Sequence, residues 1–178
     1  MATDKKTDNI QSTRAGEQLL NPMDRKILGA LVEDATQSYA VLATRVGLSA
    51  PAVHERVKRL RRHGLIKETV ARLDGAKIGK PLLVFLHVET QNWGYSKAFE
   101  KLKELPEIEE LHSVTGGTSL ILKVRLPNST ALESLLRQIH QFDSVVSTKS
   151  FVTLSTYKDS PVQAEETGEW PEPPLPEE

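Results

Sequence analysis

Cysteine is absent from the chain, which excludes a disulfide framework and any thiolate metal site and fits a reducing compartment. Aromatic residues are scarce at 5%, while 38% hydrophobic and 26% charged residues over 178 positions are ordinary for a soluble globular protein. No apolar run approaches the roughly 20 residues that a membrane-spanning helix needs. The five histidines, His54, His63, His87, His112 and His140, show no metal-ligand spacing, so no metal site is expected. A glycine-rich phosphate loop is missing. No nucleophile or acid–base pair forms a recognisable constellation, so no catalytic residue and no cofactor is assigned. The first 20 residues lack the apolar core of a signal peptide and read as a disordered arm on a cytoplasmic protein. Net charge is small too, at −1, but that figure hides an asymmetry.

Residues 22–80 carry twelve Lys or Arg against six Asp or Glu, a net of +6. Residues 81–178 carry eight against fifteen, a net of −7. A basic half suits a polyanion partner, and an acidic half would be repelled by one, so two domains with separate tasks are expected.

The basic half is organised around residues 38–64, SYAVLATRVGLSAPAVHERVKRLRRHG. Tyr39, Leu42, Ala43 and Val46 recur at helical spacing. Gly47 is placed to end that helix in the left-handed conformation, and Ser49 can cap the next. Pro51 falls in a first turn, where a missing N–H costs nothing. Val53, Val57 and Leu60 then form a second buried stripe, ending near Gly64. Helix, tight turn and basic amphipathic helix form a helix-turn-helix, whose second helix enters the major groove. Double-stranded DNA is therefore the expected partner. Its base edges fall to the N-terminal residues Ser49, Ala50, Pro51, Ala52, His54 and Glu55, and its phosphates or guanines to Arg56, Lys58, Arg59 and Arg62. Arg56 sits beside the apolar stripe, which gives it a partly structural role.

An earlier helix is expected from Asn21 as cap, Pro22 at its first position, Asp24 near its positive end and the stripe Met23, Ile27, Leu28, Leu31. Residues 65–74 (LIKETVARLD) read as a strand, and the polar segment 76–81 as a hinge. The acidic half then alternates strand, helix, strand, strand, helix, strand. Its pieces are 82–89, a helix at 97–105 capped by Ser96 with Ala98, Phe99 and Leu102 inward, strands 108–115 and 119–126 around the turn Gly116-Gly117, a helix at 130–141, and a long strand 145–157. That order is the ferredoxin-like split β-α-β pattern, with both helices on one face of a four-stranded antiparallel sheet. The strands LLVFLHVE and SLILKVRL would leave an apolar face bare in a monomer, so sheet-against-sheet association is expected. Trp93 and Tyr95 in a loop suit a subunit contact better than ligand stacking. Residues 159–178 hold seven acids, no bases and five prolines, and read as a disordered tail in which Trp170 has no packing context.

Across residues 21–158 the chain resembles the Lrp/AsnC (feast/famine) family of transcription regulators. The resemblance is carried by MDRKILGALVEDATQSYAVLATRVGLSAPAVHERVKRLRRHGLIKETVARLD, then IGKPLLVFLHV, LPEIEELHSVTGG and LILKV, in that order. It implies an α+β protein with an N-terminal winged-type helix-turn-helix at 21–75 and a C-terminal ferredoxin-like effector and assembly domain at 82–158. It also implies homodimers associating further to tetramers or octamers, a small-molecule effector such as an amino acid between dimers, and residence on the nucleoid. Members that respond to amino acids carry Gly-Asp-x-Asp in the hairpin after the valine-threonine pair. Here the matching residues are Gly116, Gly117, Thr118 and Ser119, so both acidic positions are neutral. They are the effector-site residues the resemblance assigns, but without a carboxylate to receive an amino group. Alternative functions are a weakly specific architectural protein that wraps DNA, and an enzyme on the ferredoxin-like domain.

Overall fold

The computed structural model of the chain describes residues 20–91 and 97–164. Trp93, Tyr95, Ser96, Trp170 and the side chains of Ala98 and Phe99 lie outside what is described, as do the arm before Leu20 and the tail beyond Ala164. The chain divides into two compact units, one containing the residues up to Val70 together with those from Ser160, the other spanning Ala71–Asp159.

Among the described residues the first unit is a cluster of three helices, α1 (Pro22–Glu33), α2 (Tyr39–Val46) and α3 (Ala50–Arg62). Each start is fixed by a side chain that satisfies an orphan amide. Asn21 and Asp24 form a reciprocal capping box at α1, with the Asp24 N–H donating to Asn21 Oδ1 at 2.9 Å. Ser38 accepts from the Val41 N–H at 3.3 Å, and Ser49 from the Ala52 N–H at 3.4 Å. Gly47 ends α2 at φ 72°, the left-handed conformation expected of it. The core holds Ile27, Ala30, Leu42, Ala43, Val46, Val53, Val57 and Leu60. The stripes of α2 and α3 are in it apart from the half-buried Tyr39, whereas of the stripe read for α1 only Ile27 is fully buried, with Met23, Leu28 and Leu31 packed half-buried against it.

The second unit is a four-stranded antiparallel sheet in the order β2-β3-β1-β4, formed by β1 (Leu82–Thr90), β2 (Ile108–Ser113), β3 (Leu120–Leu126) and β4 (Val145–Val152). Helices α4 (Lys97–Lys103) and α5 (Ser129–Ile139) complete the ferredoxin-like α+β order. Strand β3 alternates strictly between buried and half-buried positions, as a strand with one covered face must. Val84, Leu86 and Val88 of β1 join Leu120, Leu122, Val124 and Leu126 of β3, with Leu102, Leu135 and Ile139 from the helices, in one core. Asn128 caps α5 through the Ala131 N–H at 3.0 Å.

Three expectations change. Residues 65–74 form no strand, so among the described residues no wing strand follows the helix-turn-helix. Leu65 and Ile66 pack half-buried against the helical core, but Val70 is 67% and Leu73 70% exposed, and a strand without a hydrogen-bonding neighbour is not stable alone. The last strand ends at Val152 rather than running to 157, because its partner runs out: the Thr153 N–H still donates to Leu83 O at 2.9 Å, but β1 begins at Leu82 after Pro81. The turn at 75–79 packs on the sheet unit instead of standing free. Gly75 is buried, and a Cβ there would lie 2.5 Å from Arg125 Cδ and 2.9 Å from the Lys80 carbonyl oxygen.

Candidate nucleic-acid interface and effector cleft

The position of α3 is set by one carboxylate. Asp24, in the first turn of α1, is fully buried. Its Oδ1 accepts from Arg56 Nη1 at 2.9 Å and its Oδ2 from Arg59 Nη2 at 2.5 Å, while Oδ2 also accepts from the Asn21 N–H at 3.4 Å. A buried carboxylate needs such pairing, since an unpaired charge in a core costs several kcal/mol. Two of the four cations expected on DNA therefore spend part of their guanidinium on the fold. A partly structural role was anticipated for Arg56, whereas Arg59 was assigned to DNA alone.

The rest of α3 presents a different face. Lys58, Arg61 and Arg62 are exposed and make no ion pair among the described residues. Arg61 was not among the expected contacts, because it flanks the buried stripe of Val53, Val57 and Leu60 rather than opposing it. Arg59, Arg61 and Arg62 crowd the last turn, where cations also complement the helix dipole.

At the other end of α3, Ser49, Pro51, His54 and Glu55 are exposed, while Ala50 and Ala52 are half-buried and Ala50 packs against the helical core. Ser49 uses its hydroxyl as the cap. The His54 ring packs edge-on against Tyr39, with centroids 5.2 Å apart, and its Nδ1 lies 3.7 Å from Glu55 Oε1. This end is thus preorganised before any ligand arrives.

In the sheet unit, the hairpin residues occupy the turn between β2 and β3. Gly116 adopts φ 119°, which glycine tolerates and other residues rarely do. Ser119 is buried, and its Oγ accepts from the Thr90 N–H at 3.1 Å. Thr118 Oγ1 donates to the Val88 carbonyl at 3.0 Å. Both hydroxyls offered for a ligand are thus engaged within the sheet. Gly117 and Thr118 line a cleft of about 30 Å³ with His87, Glu89, Ser147 and Lys149. That space suits about one water molecule.

The outer face of the sheet is mixed rather than uniformly apolar. Phe85 and Phe151 are paired across β1 and β4 and exposed, with the Phe151 ring 4.7 Å from that of His87. Beside them lies a charged cluster. Lys123 Nζ donates to Glu110 Oε1 at 3.0 Å, His112 Nε2 lies 3.1 Å from Glu110 Oε2, and Arg125 Nε donates to Glu109 Oε1 at 2.5 Å. The hydrogen bonds from His112 and Lys123 hold the Glu110 carboxyl below its usual range, and Glu110 in turn holds the Lys123 ammonium above its own.

Comparison with known proteins decides the identity. The AsnC-type helix-turn-helix domain model matches residues 20–61, and the Lrp/AsnC ligand binding domain model matches residues 83–163. The leucine-responsive regulatory protein of Escherichia coli K12 is 36% identical over 156 residues, covering 85% of this chain and 94% of its own. The chain belongs to the Lrp/AsnC family of transcription regulators. The HTH-type transcriptional regulator Zrp of Zymomonas mobilis is likewise 36% identical, over 146 residues, covering 80% of this chain and 95% of its own. Among solved structures, an AsnC family regulator from Agrobacterium tumefaciens superposes with a TM-score of 0.75 at 27% identity, over 79% of this chain and 94% of that one.

As a Lrp/AsnC member the protein is a DNA-binding transcription regulator, not an enzyme, so the reading of a catalytic ferredoxin-like domain is set aside. The helix-turn-helix match takes in every expected DNA-facing residue except Arg62, and the ligand-binding match takes in the whole hairpin from Gly116 to Ser119. Among the described residues no helix is long and apolar enough to cross a membrane, and no group of three or more His, Cys, Asp or Glu side chains could hold a metal.

Proposed function

We propose that this Lrp/AsnC regulator reads pseudo-palindromic duplex DNA as a homodimer or higher oligomer, acting in the cytoplasm on the nucleoid. The observation that carries the reading is the division of cations on α3: Arg56 and Arg59 grip Asp24, while Lys58, Arg61 and Arg62 stand exposed without an ion pair among the described residues. The first pair fixes the angle of the helix; the second set is available to neutralise phosphates, which supplies much of the affinity for DNA. Ser49, Pro51, His54 and Glu55 at the N-terminal end of α3 face base edges, with Ala50 and Ala52 close behind. Two copies of α3 enter successive major grooves, and their spacing is set by pairing of the outer sheet faces around Phe85 and Phe151.

A small molecule modulates this assembly. Within one protomer the cleft at Gly117 and Thr118 is too small for an amino acid, so the effector site is completed by a neighbouring protomer. With glycine and serine in place of the two acidic positions, the effector is a metabolite that does not depend on a carboxylate for its amino group.

The test is fluorescence polarisation of a specific and a random duplex at several salt concentrations. Lys58→Ala with Arg62→Ala is expected to weaken both about tenfold or more and to flatten the salt dependence by about two ion equivalents. Unchanged binding would remove α3 from the interface. A specific-to-random affinity ratio near one would instead favour the architectural, DNA-wrapping reading, since a regulator requires a large ratio.

A further inference from the structure

The helical unit holds a second charged feature, away from the face of α3. A groove of about 550 Å³ runs between α1 and α2, with Pro22, Ala30 and Val46 as its apolar lining and Arg25, Lys26 and Arg45 as its cations. Its lining sets these three cations against one acid, Glu33, which is ion-paired with Arg45. The volume suits a short peptide segment.

The chain itself supplies a candidate occupant. Residues from Ser160 onward belong to the helical unit, and the Ala164 carbonyl accepts from Arg25 Nη1 at 2.9 Å. Immediately beyond come Glu165 and Glu166, in the sequence EETGEWPEPPLPEE, which has six glutamates and no base. Two residues of extended chain span no more than about 7 Å, so the tether from Ala164 is short enough for both carboxylates to reach the cations beside its carbonyl. Glu169 and Trp170 follow, an acid and a large apolar ring suited to a groove that is both cationic and apolar.

We infer that the acidic segment from Glu165 onward docks in the α1–α2 groove of its own chain and competes electrostatically with DNA. The six glutamates match the net +6 of residues 22–80, so a docked tail cancels the field that draws a duplex to α3. Docking is held by the Arg25–Ala164 hydrogen bond and by ion pairs that salt weakens. The effect on DNA rests on the DNA-binding reading; the docking itself does not.

The experiment therefore has two arms on the full-length protein. In the first, a water-soluble carbodiimide joins neighbouring carboxylates and amines as amides, which are mapped by mass spectrometry without DNA present. Lys26 is expected to join Glu165, Glu166 or Glu169 in preference to Lys58 and Lys67, and Arg25→Gln is expected to abolish that preference. Even cross-linking of the three lysines, none at Lys26, or amides joining two chains in a mixture of light and isotope-labelled protein would overturn docking in cis. In the second arm, a chain ending at Ala164 is expected to bind duplex DNA about threefold or more tighter at low salt, with the advantage vanishing at high salt. Unchanged affinity in the shortened chain, with Lys26 cross-linked in the full one, would overturn the competition. If neither chain bound DNA, the assigned interface would fail while the docking result stood.

Discussion

Asp24 and Arg59 lie 35 positions apart in the chain, yet Oδ2 of one sits 2.5 Å from Nη2 of the other and ties α1 to α3. Arg56 holds the second oxygen, so a single buried carboxylate receives two guanidinium groups. Asp24→Asn keeps the size of the side chain and the backbone half of the capping box but removes the charge that both arginines were placed to meet. Breaking a buried ion pair from one side typically costs about 3–5 kcal/mol. Because Arg56 and Arg59 are about one third exposed, water relieves them in part, and a loss of about 2–3 kcal/mol is expected. Urea denaturation checks this, with the midpoint falling at constant slope. A change under about 0.5 kcal/mol would show that the triad does not hold the helices together.

Two glycines of the helical unit should respond to alanine with opposite signs. Gly47 closes α2 at φ 72°, a conformation that costs an L-residue about 1–2 kcal/mol, so Gly47→Ala is expected to destabilise by that amount although no atom lies within 4 Å of the added methyl. Gly29 lies inside α1 with helical dihedrals and open space at its Cβ position. Gly29→Ala is expected to stabilise by up to about 1 kcal/mol through helix propensity alone. Thermal melts of the two variants beside wild type decide it; a shared sign would refute the backbone argument.

What the sequence revealed and what it hid divide along physical lines. The helix starts at Asn21 and Ser49 and the stop at Gly47 were legible because capping and left-handed geometry are local, decided within four residues; the cap at Ser38 went unread although it is as local. The alternation of β3 was legible because burial of one face imposes it. Arg59 was misjudged because helical periodicity gives the angle of a side chain about its own axis and not the buried acid that a different helix brings to it. The strand expected at 65–74 failed for a related reason. Its apolar residues satisfy a strand pattern, but a ladder is made by a second strand, and none in the described chain lies against it. The hairpin from Gly116 to Ser119 was placed correctly between two strands, while the use of both its hydroxyls by Val88 and Thr90 depends on β1, some 30 residues away.

The charged cluster on the outer sheet face makes a pH prediction whose sign is fixed. Glu110 has its carboxyl held below the usual 4.5, chiefly by the hydrogen bond from His112 and then by that from Lys123. A carboxylate depressed in the folded state contributes stability that is present above its unfolded value and is lost as pH falls through the lower folded value. Lys123 is raised above the usual 10.5, so its contribution is present below that value and is lost as pH rises through the higher folded one. The cluster therefore stabilises across the neutral range and fails at both extremes. The Glu110 side chain is 48% exposed, so solvent screening limits the pair to about 0.5 kcal/mol. Urea midpoints measured from neutral pH down through the carboxylate range should fall less steeply for Glu110→Gln than for wild type. Parallel curves would remove the cluster from the acid response.

Restoring the two acidic positions of the hairpin one at a time should separate a tolerated change from a damaging one. Gly117 has a φ outside the left-handed region and nothing within 4 Å of a built Cβ, and it is exposed, so Gly117→Asp is expected to change stability by less than about 0.5 kcal/mol. Ser119 is only 8% exposed and its oxygen receives the Thr90 N–H at 3.1 Å. Ser119→Asp forces a carboxylate into that site, where the single amide cannot replace its lost hydration, and is expected to cost about 2 kcal/mol or more. Ser119→Ala, which withdraws the acceptor and adds no charge, is expected to cost about 1–2 kcal/mol. Denaturation of the three variants gives the ordering. If Ser119→Asp were as stable as Gly117→Asp, the Ser119 hydroxyl would be free for an effector rather than bound into the sheet. If the ordering holds, Gly117 is the position at which an acidic ligand contact can be introduced without cost to the fold, and calorimetry of Gly117→Asp with free amino acids becomes the direct measure of what that missing carboxylate does.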